Sequence, residues 1–185
     1  MKRIVMAAAA FAMLFAFAFP GHKAYATITN LGPLTPAVSV PLFESHFGSG
    51  SVFADTFSFT LTADASLTSI LGSVQFEDIT GIAGFTSSLW QAGGVSPLAI
   101  GITTTLDGPF GTTITKSFIS YASLLAGPPP TYEIHTGGTV LGESGKYGGF
   151  VTVSPIPEPE IYAMLLAGLG LMGFVARRRH HGLAA

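Results

Sequence analysis

Asp55 has the best-defined chemical setting of any side chain in this sequence of 185 residues. It stands at the centre of an alternating stretch, with Phe53 two positions before it and Phe57 two positions after it. Side chains of a strand point alternately to its two faces, so these three residues share one face. Asp55 is then either a ligand for a cation or a carbohydrate at the sheet margin, or a buried carboxylate paired with backbone N–H groups or a hydroxyl. No cluster of further ligands accompanies it, which favours the structural role.

The other residue types with reactive side chains are sparse. The sequence has no cysteine, which excludes a thiolate nucleophile, a cysteine zinc site and a disulfide framework. His46 and His135 lack metal-binding spacing to each other or to a carboxylate, and both are expected at the surface or in a hairpin. Four aromatic residues with a polar atom could form a platform that stacks on sugar rings. They are Trp90, Tyr121, Tyr132 and Tyr147.

No pair of residues has the spacing of a catalytic acid and base or of an activated nucleophile, so the sequence predicts no catalytic residue, no metal site and no cofactor. Its formal net charge of -2 gives no basic field for a nucleic acid. Only 10% of the residues are charged, against roughly a quarter in an average soluble protein. The length allows one domain of ordinary size with appendages at its ends.

Residues 1–26 have the composition of a secretory signal peptide. A short basic start precedes an uninterrupted apolar run over residues 4–19, and Ala24 and Ala26 are the small residues that a signal peptidase reads. The run is shorter than the about 20 residues that a permanent membrane helix needs, which disfavours an uncleaved anchor. We therefore expect cleavage by signal peptidase after Ala26, with the rest of the chain exported.

Residues 155–185 form a tail with three successive features. The first is a proline-rich stretch that disfavours helix, the second is an uncharged and mainly apolar run over residues 161–176, and the third is a basic end over residues 177–181. The stretch contains Pro157, Glu158 and Pro159, and the basic end contains Arg177, Arg178 and Arg179.

The apolar run of the tail predicts a single transmembrane helix over residues 161–176. Such a helix is about 24 Å long, a little short of the hydrocarbon core, and the arginine side chains that follow can reach the interface. Arginine clusters stay on the cytoplasmic side, so the preceding part of the chain is expected outside.

The three tail features, in this order at the C-terminus, resemble the PEP-CTERM sorting signal. The resemblance implies that an exosortase, a membrane cysteine transpeptidase, reads the tail, cuts near Pro157, Glu158 and Pro159, and passes the protein to the cell surface or extracellular matrix. Hosts of this family are typically exopolysaccharide-producing bacteria of Gram-negative type. Glu160 departs from the pattern, in which small hydroxyl residues are common at that position. The resemblance makes the chain a substrate of this chemistry and not its catalyst.

Residues 27–154 form the body between the two ends. They contain eight acids and two lysines, for a net charge of -6, and are rich in Thr, Ser and Gly. This composition and the glycines that are expected to mark turns, among them Gly72, Gly148 and Gly149, predict about eight short strands, and hence an all-β antiparallel β-sandwich of jelly-roll or Ig-like type. Residues 31–51 are expected to be mostly loop. The predicted strands are 38–42, 52–62, 67–71, 74–79, 85–90, 98–104, 112–121, 131–135 and 150–153.

Phe53, Asp55 and Phe57, with the glycine-rich stretch over residues 147–153, make the body resemble the FxDxF family of PEP-CTERM proteins. That family has no assigned biochemical activity. Two functions stay open: a non-enzymatic structural or adhesive protein of the surface or exopolysaccharide matrix, and a carbohydrate-binding module for the host's own extracellular polysaccharide that uses exposed aromatic side chains. An enzyme is the least favoured class.

Overall fold

The computed structural model describes residues 23–76, 80–126, 131–156 and 163–173. The chain divides after Pro155 into two units, of which the first contains all the described strands and the second a helix, α1, over residues 163–173. The strands are β1 Ala24–Tyr25, β2 Ile28–Leu34, β3 Val38–Phe47, β4 Val52–Leu61, β5 Ala65–Phe76, β6 Thr80–Gln91, β7 Ala99–Ile100, β8 Ile102–Asp107, β9 Thr112–Leu124, β10 Tyr132–Gly142 and β11 Ser144–Pro155.

The strands of the first unit form two layers. In sheet one, β4 pairs with β1, β2 and β10, and β6 pairs with β10 and β7. In sheet two the order is β3, β11, β5, β9, β8. A single registered backbone pair, Phe76 with Thr80, joins β5 of sheet two to β6 of sheet one. The predicted β-sandwich architecture is therefore confirmed.

The expectation of purely antiparallel pairing is wrong for one edge of sheet one. Both β1 and β2 run parallel to β4. The reason for β2 is topological, because the chain passes from β2 to β3 in the other sheet and then returns to β4. Two reversals of direction leave β2 and β4 running the same way. Residues 28–34, most of which were expected to be loop, are thus held as a strand on the β4 edge.

The inward side chains of both sheets form one hydrophobic core. The alternation predicted for β4 is confirmed, since Phe53, Phe57 and Phe59 are almost completely buried. Burying a side chain of this size contributes about 2 kcal/mol. The other strands contribute mainly aliphatic residues, among them Leu42, Leu67, Leu71, Ile82, Leu89, Ile119, Ile134, Val140, Val151 and Val153.

Several glycines that were expected to mark turns lie inside long strands. β5 continues through Gly72 to Phe76, so the predicted strand 67–71 and the described part of the predicted strand 74–79 belong to one element. Residues 77–79 of that prediction lie outside the described residues. β11 likewise continues through Gly148 and Gly149. A β-carbon on Gly149 would collide with backbone atoms of β5, and one on Gly148 would collide with the ring of Phe43. These glycines permit close approach of neighbouring groups and do not reverse the chain.

The second unit contains α1, which covers 11 of the 16 residues of the predicted transmembrane helix. Within the described residues, no helix has the length and apolar character needed to cross a membrane. The other predicted features of the tail, Pro157 to Pro159 and Arg177 to Arg179, lie outside the described residues. Residues 1–22 of the predicted signal peptide also lie outside them, while Ala24 belongs to β1.

Candidate functional site

The carboxylate of Asp55 lies between the two sheets with only 1% of the residue exposed. Its Oδ2 atom is 2.7 Å from Nε2 of His46 and accepts a 2.6 Å hydrogen bond from the hydroxyl of Tyr147. Its Oδ1 atom accepts a 3.1 Å hydrogen bond from the backbone N–H of Thr27. The Thr136 hydroxyl is 2.8 Å from the Tyr147 hydroxyl. We refer to His46, Asp55, Thr136 and Tyr147 as the inner cluster.

The inner cluster connects the two layers of the sandwich. Asp55 on β4 and Thr136 on β10 belong to sheet one, whereas His46 on β3 and Tyr147 on β11 belong to sheet two. Because the single hydroxyl proton of Tyr147 goes to Asp55, Tyr147 accepts a hydrogen bond from Thr136. These hydrogen bonds form a polar network across the interior in which the carboxylate of Asp55 has partners. A buried carboxylate needs such partners, so the network fits the structural role expected for Asp55.

Aromatic rings enclose the inner cluster. The His46 ring stacks on Phe53 at 4.3 Å between centroids, and Tyr147 stacks on Phe53 at 5.5 Å. Phe57 meets Tyr147 edge-on at 6.4 Å, and Phe85 packs against it at 5.1 Å. Phe53 and Phe57 therefore pack against the side chains to which Asp55 is hydrogen-bonded. All three residues of the alternating stretch thus belong to the inner cluster or contact it.

The electrostatic field at the inner cluster is negative. Burial and, secondarily, the neighbouring charge of Asp55 raise the pKa of the Tyr147 hydroxyl far above its ordinary value, so this residue is a neutral donor. The charge of Glu44 acts on Tyr147 in the same direction. Between described residues, the contacts of ion-pair length are two histidine–carboxylate contacts, in which the histidine is charged only if it is protonated. Neither a lysine nor an arginine balances these acids there.

A second histidine–carboxylate pair lies on the outer face of sheet one. Nε2 of His135 is 2.9 Å from Oε2 of Glu133, two residues away on β10. The ring of Trp90 stacks on His135 with 5.4 Å between centroids, and its Nε1–H donates to Ser88 across 2.8 Å. We refer to Glu133 and His135 as the outer pair.

The outer face of sheet two carries a row of exposed apolar side chains. One row of residues crosses its five strands in register, and each of these side chains is exposed. The row consists of Pro41, Phe150, Ile70, Phe118 and Ile102. Two further exposed phenylalanines, Phe43 and Phe47, lie on β3. We call this surface the apolar face.

Both lysines of the body also lie on the apolar face. Lys116 on β9 pairs with Gly72 of β5, and Lys146 on β11 is aligned with Ser45 of β3. Both lysines are exposed, and each is followed on its strand by a buried residue, Ser117 and Tyr147 respectively. This face therefore combines apolar side chains with the two positive charges of an otherwise acidic body.

The predicted sugar-stacking platform does not form. Tyr132 and Tyr147 are buried, whereas Trp90 lies on the outer face of sheet one. The Tyr132 hydroxyl exchanges hydrogen bonds with the backbone of Leu125, and burial raises its pKa. Nor do the described residues contain a group of three or more His, Cys, Asp or Glu side chains able to hold a metal ion.

The sequence interpretation missed the partners of Asp55. His46 was expected at the surface or in a hairpin, and this expectation is wrong, because only 4% of it is exposed. The predicted strand ended at residue 42, whereas β3 continues to Phe47 and directs His46 inward with the same parity as Leu42. Extending the alternation of that strand by two steps would have placed His46 on the buried face.

Comparisons with known proteins identify the tail. Residues 155–179 match the model of the PEP-CTERM protein-sorting motif, which confirms the resemblance seen in the sequence and supports a PEP-CTERM protein. The motif implies an exported protein that an exosortase processes and that is membrane-anchored for sorting through its C-terminus. No curated protein matches the chain.

The solved structures to which the chain is similar include the following two. One is the pre-peptidase C-terminal domain of a collagenase from Bacillus anthracis, with 15% identity, coverage of 74% of this chain and 99% of that chain, and a TM-score of 0.39. The other is a β-glucosidase from Paenibacillus barengoltzii, with 13% identity, coverage of 71% and 13% respectively, and a TM-score of 0.34.

Proposed function

We propose that this protein is a non-enzymatic structural or adhesive component of the cell surface or exopolysaccharide matrix, delivered by signal-peptidase cleavage and exosortase sorting. The sorting motif over residues 155–179 supports the delivery. In this proposal, residues 161–176 form the temporary membrane anchor and Arg177 to Arg179 stay in the cytoplasm until the tail is cut.

The apolar face is the observation that carries the structural role. Exposed apolar side chains line up across all five strands of sheet two, and contiguous exposed apolar patches mark interaction sites. Two copies can pack this face of sheet two against each other, in the way that two sheets pack inside a sandwich. Self-association through this face would build the released body into a surface layer or matrix.

The finer fold assignment that we propose is a jelly roll. β10 lies between β4 and β6 in sheet one, and β11 lies between β3 and β5 in sheet two. In both layers, a strand from late in the chain therefore lies between two strands from earlier in the chain. This arrangement supports the Greek-key winding of a double-sheet jelly roll in preference to an Ig-like sandwich.

The experiment compares the mature wild-type protein with a Phe118→Thr, Phe150→Thr double variant. Threonine keeps the strand preference but removes the aromatic surface. We expect wild-type protein to self-associate in sedimentation analysis and the variant to be monomeric with an unchanged circular dichroism spectrum. The matched control is Val95→Thr with Leu125→Thr, since these residues are exposed outside the strands. A monomeric wild-type protein would contradict the proposed self-association.

Delivery is tested separately in a host that contains an exosortase. Mass spectrometry of the surface fraction should show a new N-terminus at Thr27 and loss of the chain beyond the Pro157–Glu158–Pro159 sequence. A Glu158→Ala variant should keep its tail and remain in the membrane fraction. Wild-type protein that retains its full tail in such a host would contradict exosortase sorting.

A second candidate function is binding of an acidic extracellular polysaccharide, and the position of Lys116 and Lys146 favours it. From strand spacing and rise, their backbones are about 12 Å apart, so they could contact separate acidic groups of one glycan chain. A Lys116→Gln, Lys146→Gln variant should lose retention on an acidic polysaccharide and keep self-association. Equal retention of wild type and variant would rule out this candidate.

A further inference from the structure

We infer that Asp55 binds the protein's own mature N-terminus, so that export processing completes the inner cluster with an ammonium group. This inference rests on the signal-peptidase step of the proposed function. Its structural basis is that Thr27, the first residue after the expected cleavage, already places its backbone nitrogen 3.1 Å from Oδ1 of Asp55.

The position of the Thr27 nitrogen does not depend on the residues before it. The carbonyl oxygen of Thr27 accepts a 2.8 Å hydrogen bond from the backbone N–H of Thr56. The next residue, Ile28, begins β2 and pairs with Thr56 in the β4 ladder. Thr27 is thus held from its C-terminal side, and its nitrogen stays opposite Asp55 after the preceding chain has been removed.

Cleavage changes the chemistry of that nitrogen. Hydrolysis of the Ala26–Thr27 peptide bond adds the hydroxyl of water to the Ala26 carbonyl, which leaves as a carboxylate. The Thr27 nitrogen takes up protons and becomes a positively charged α-ammonium group with three N–H donors. Its existing hydrogen bond to Asp55 then becomes an ion pair between opposite charges, which is shorter and stronger than a neutral one.

The charge balance of the inner cluster favours this arrangement. Asp55 is buried, Glu44 lies near enough to act on Tyr147, and the inner-cluster partner of Asp55 is His46, which carries a charge only when it is protonated. The described residues supply no permanent cation, lysine or arginine, as a partner for either acid. A buried carboxylate without a balancing charge is costly, and an adjacent cation offsets part of that cost. The α-ammonium group is a cation that processing delivers to this position.

Processing also removes β1 from the edge of β4. In the uncleaved chain, the Lys23 carbonyl accepts from the backbone N–H of Val52 at 3.0 Å, and the Tyr25 ring lies 6.1 Å from His46. Loss of these residues leaves room around the Thr27 nitrogen for its two additional N–H groups. The cleaved and uncleaved proteins therefore differ in both charge and contacts at the inner cluster.

The test uses the mature protein purified from an exporting host. Mass spectrometry first establishes whether the chain begins at Thr27. Native protein is then labelled by reductive dimethylation at pH 7, and the labelling rates of the Thr27 amine, Lys116 and Lys146 are compared. A free α-amino group has a lower pKa than lysine and reacts first. In an ion pair with Asp55, the Thr27 amine should react at least tenfold more slowly than in denatured protein, and more slowly than both lysines.

The variant Asp55→Asn should restore fast labelling of Thr27, whereas the control Asp107→Asn, at an exposed aspartate, should leave the slow rate unchanged. If Asp55→Asn does not fold, a crystal structure of the mature wild-type protein decides, because the Thr27 nitrogen must lie within hydrogen-bond distance of Asp55 Oδ1. Fast native labelling of Thr27, or a folded Asp55→Asn variant with slow labelling, would overturn the inference.

The outcomes separate this inference from the proposed function. A mature chain that begins at Thr27 and reaches the surface, but whose α-amine reacts freely, contradicts the role of Asp55 alone. A mature chain that begins elsewhere overturns both the inference and the predicted signal-peptidase site. Protein that is never exported contradicts the proposed function itself.

Discussion

A carboxylate on each face of sheet one contacts a histidine, and the two pairs differ more in their surroundings than in their contact distances. The contact of His46 with Asp55 is 2.7 Å long, with side-chain exposures of 4% and 1%. The contact of His135 with Glu133 is 2.9 Å long, with exposures of 39% and 9%. Similar distances therefore occur in an interior site and in a partly hydrated one, where the energetic consequences differ.

The two pairs also differ in what they connect. The outer pair joins residues two apart on one strand, so its formation adds little to the tertiary structure. Asp55 of the inner cluster contacts His46 on β3 and Tyr147 on β11, and thereby ties sheet one to sheet two. The comparison indicates that a short ion-pair distance alone does not identify a structurally important contact, whereas burial and long-range connectivity do.

Replacement of Asp55 by asparagine should have the largest effect on stability. Three donors converge on the two oxygens of Asp55, and asparagine offers one oxygen and an NH2 group that itself needs acceptors. We expect a loss of about 3 kcal/mol or more in the free energy of unfolding, since buried donors lose their acceptor. Denaturant unfolding of the mature protein measures this, with Asp107→Asn as the exposed control. A loss below about 1 kcal/mol would remove the distinction between the two pairs.

Replacement of Tyr147 by phenylalanine should have an intermediate effect. The ring contacts remain, but Asp55 loses one donor and Thr136 loses its acceptor, which should cost about 1–2 kcal/mol. The pKa of Tyr147 is raised in the folded state above the ordinary value of 10.0, so its contribution is complete below about pH 10 and is lost as the pH rises further. Unfolding measured between pH 8 and 11 should be less steeply pH-dependent in the variant. An equal alkaline slope in both proteins would contradict this assignment.

The sequence predicts the scaffold of the inner cluster better than its contacts. The alternation of Phe53, Asp55 and Phe57 determines that the three share a face, and the composition determines that this face is buried in a β-sandwich. The pairing of Asp55 with His46 and Tyr147 depends on strand order and register across two sheets. These are set by packing over the whole body, so local periodicity does not contain them.

The glycines illustrate the same limit. A glycine pair is an ordinary turn signal, and residues 148–149 were interpreted in that way. Only the tertiary structure reveals that Gly148 leaves room for the Phe43 ring and that Gly149 leaves room for the backbone of β5. The tail is the opposite case, because a sorting signal is read as a linear order of residue types and is therefore visible without a fold.

Replacement of Glu133 by glutamine should have the smallest effect on the free energy of unfolding. It tests the outer pair against the inner cluster. One donor, Nε2 of His135, lies at hydrogen-bond distance from this carboxylate, and glutamine keeps an oxygen that can accept from it. Because His135 is also partly exposed, water can replace what is lost, and we expect a change below about 1 kcal/mol. Denaturant unfolding beside Asp55→Asn gives the direct contrast. A cost for Glu133→Gln equal to that of Asp55→Asn would mean that the stacked Trp90 ring excludes water from the outer pair as effectively as the core does from the inner cluster.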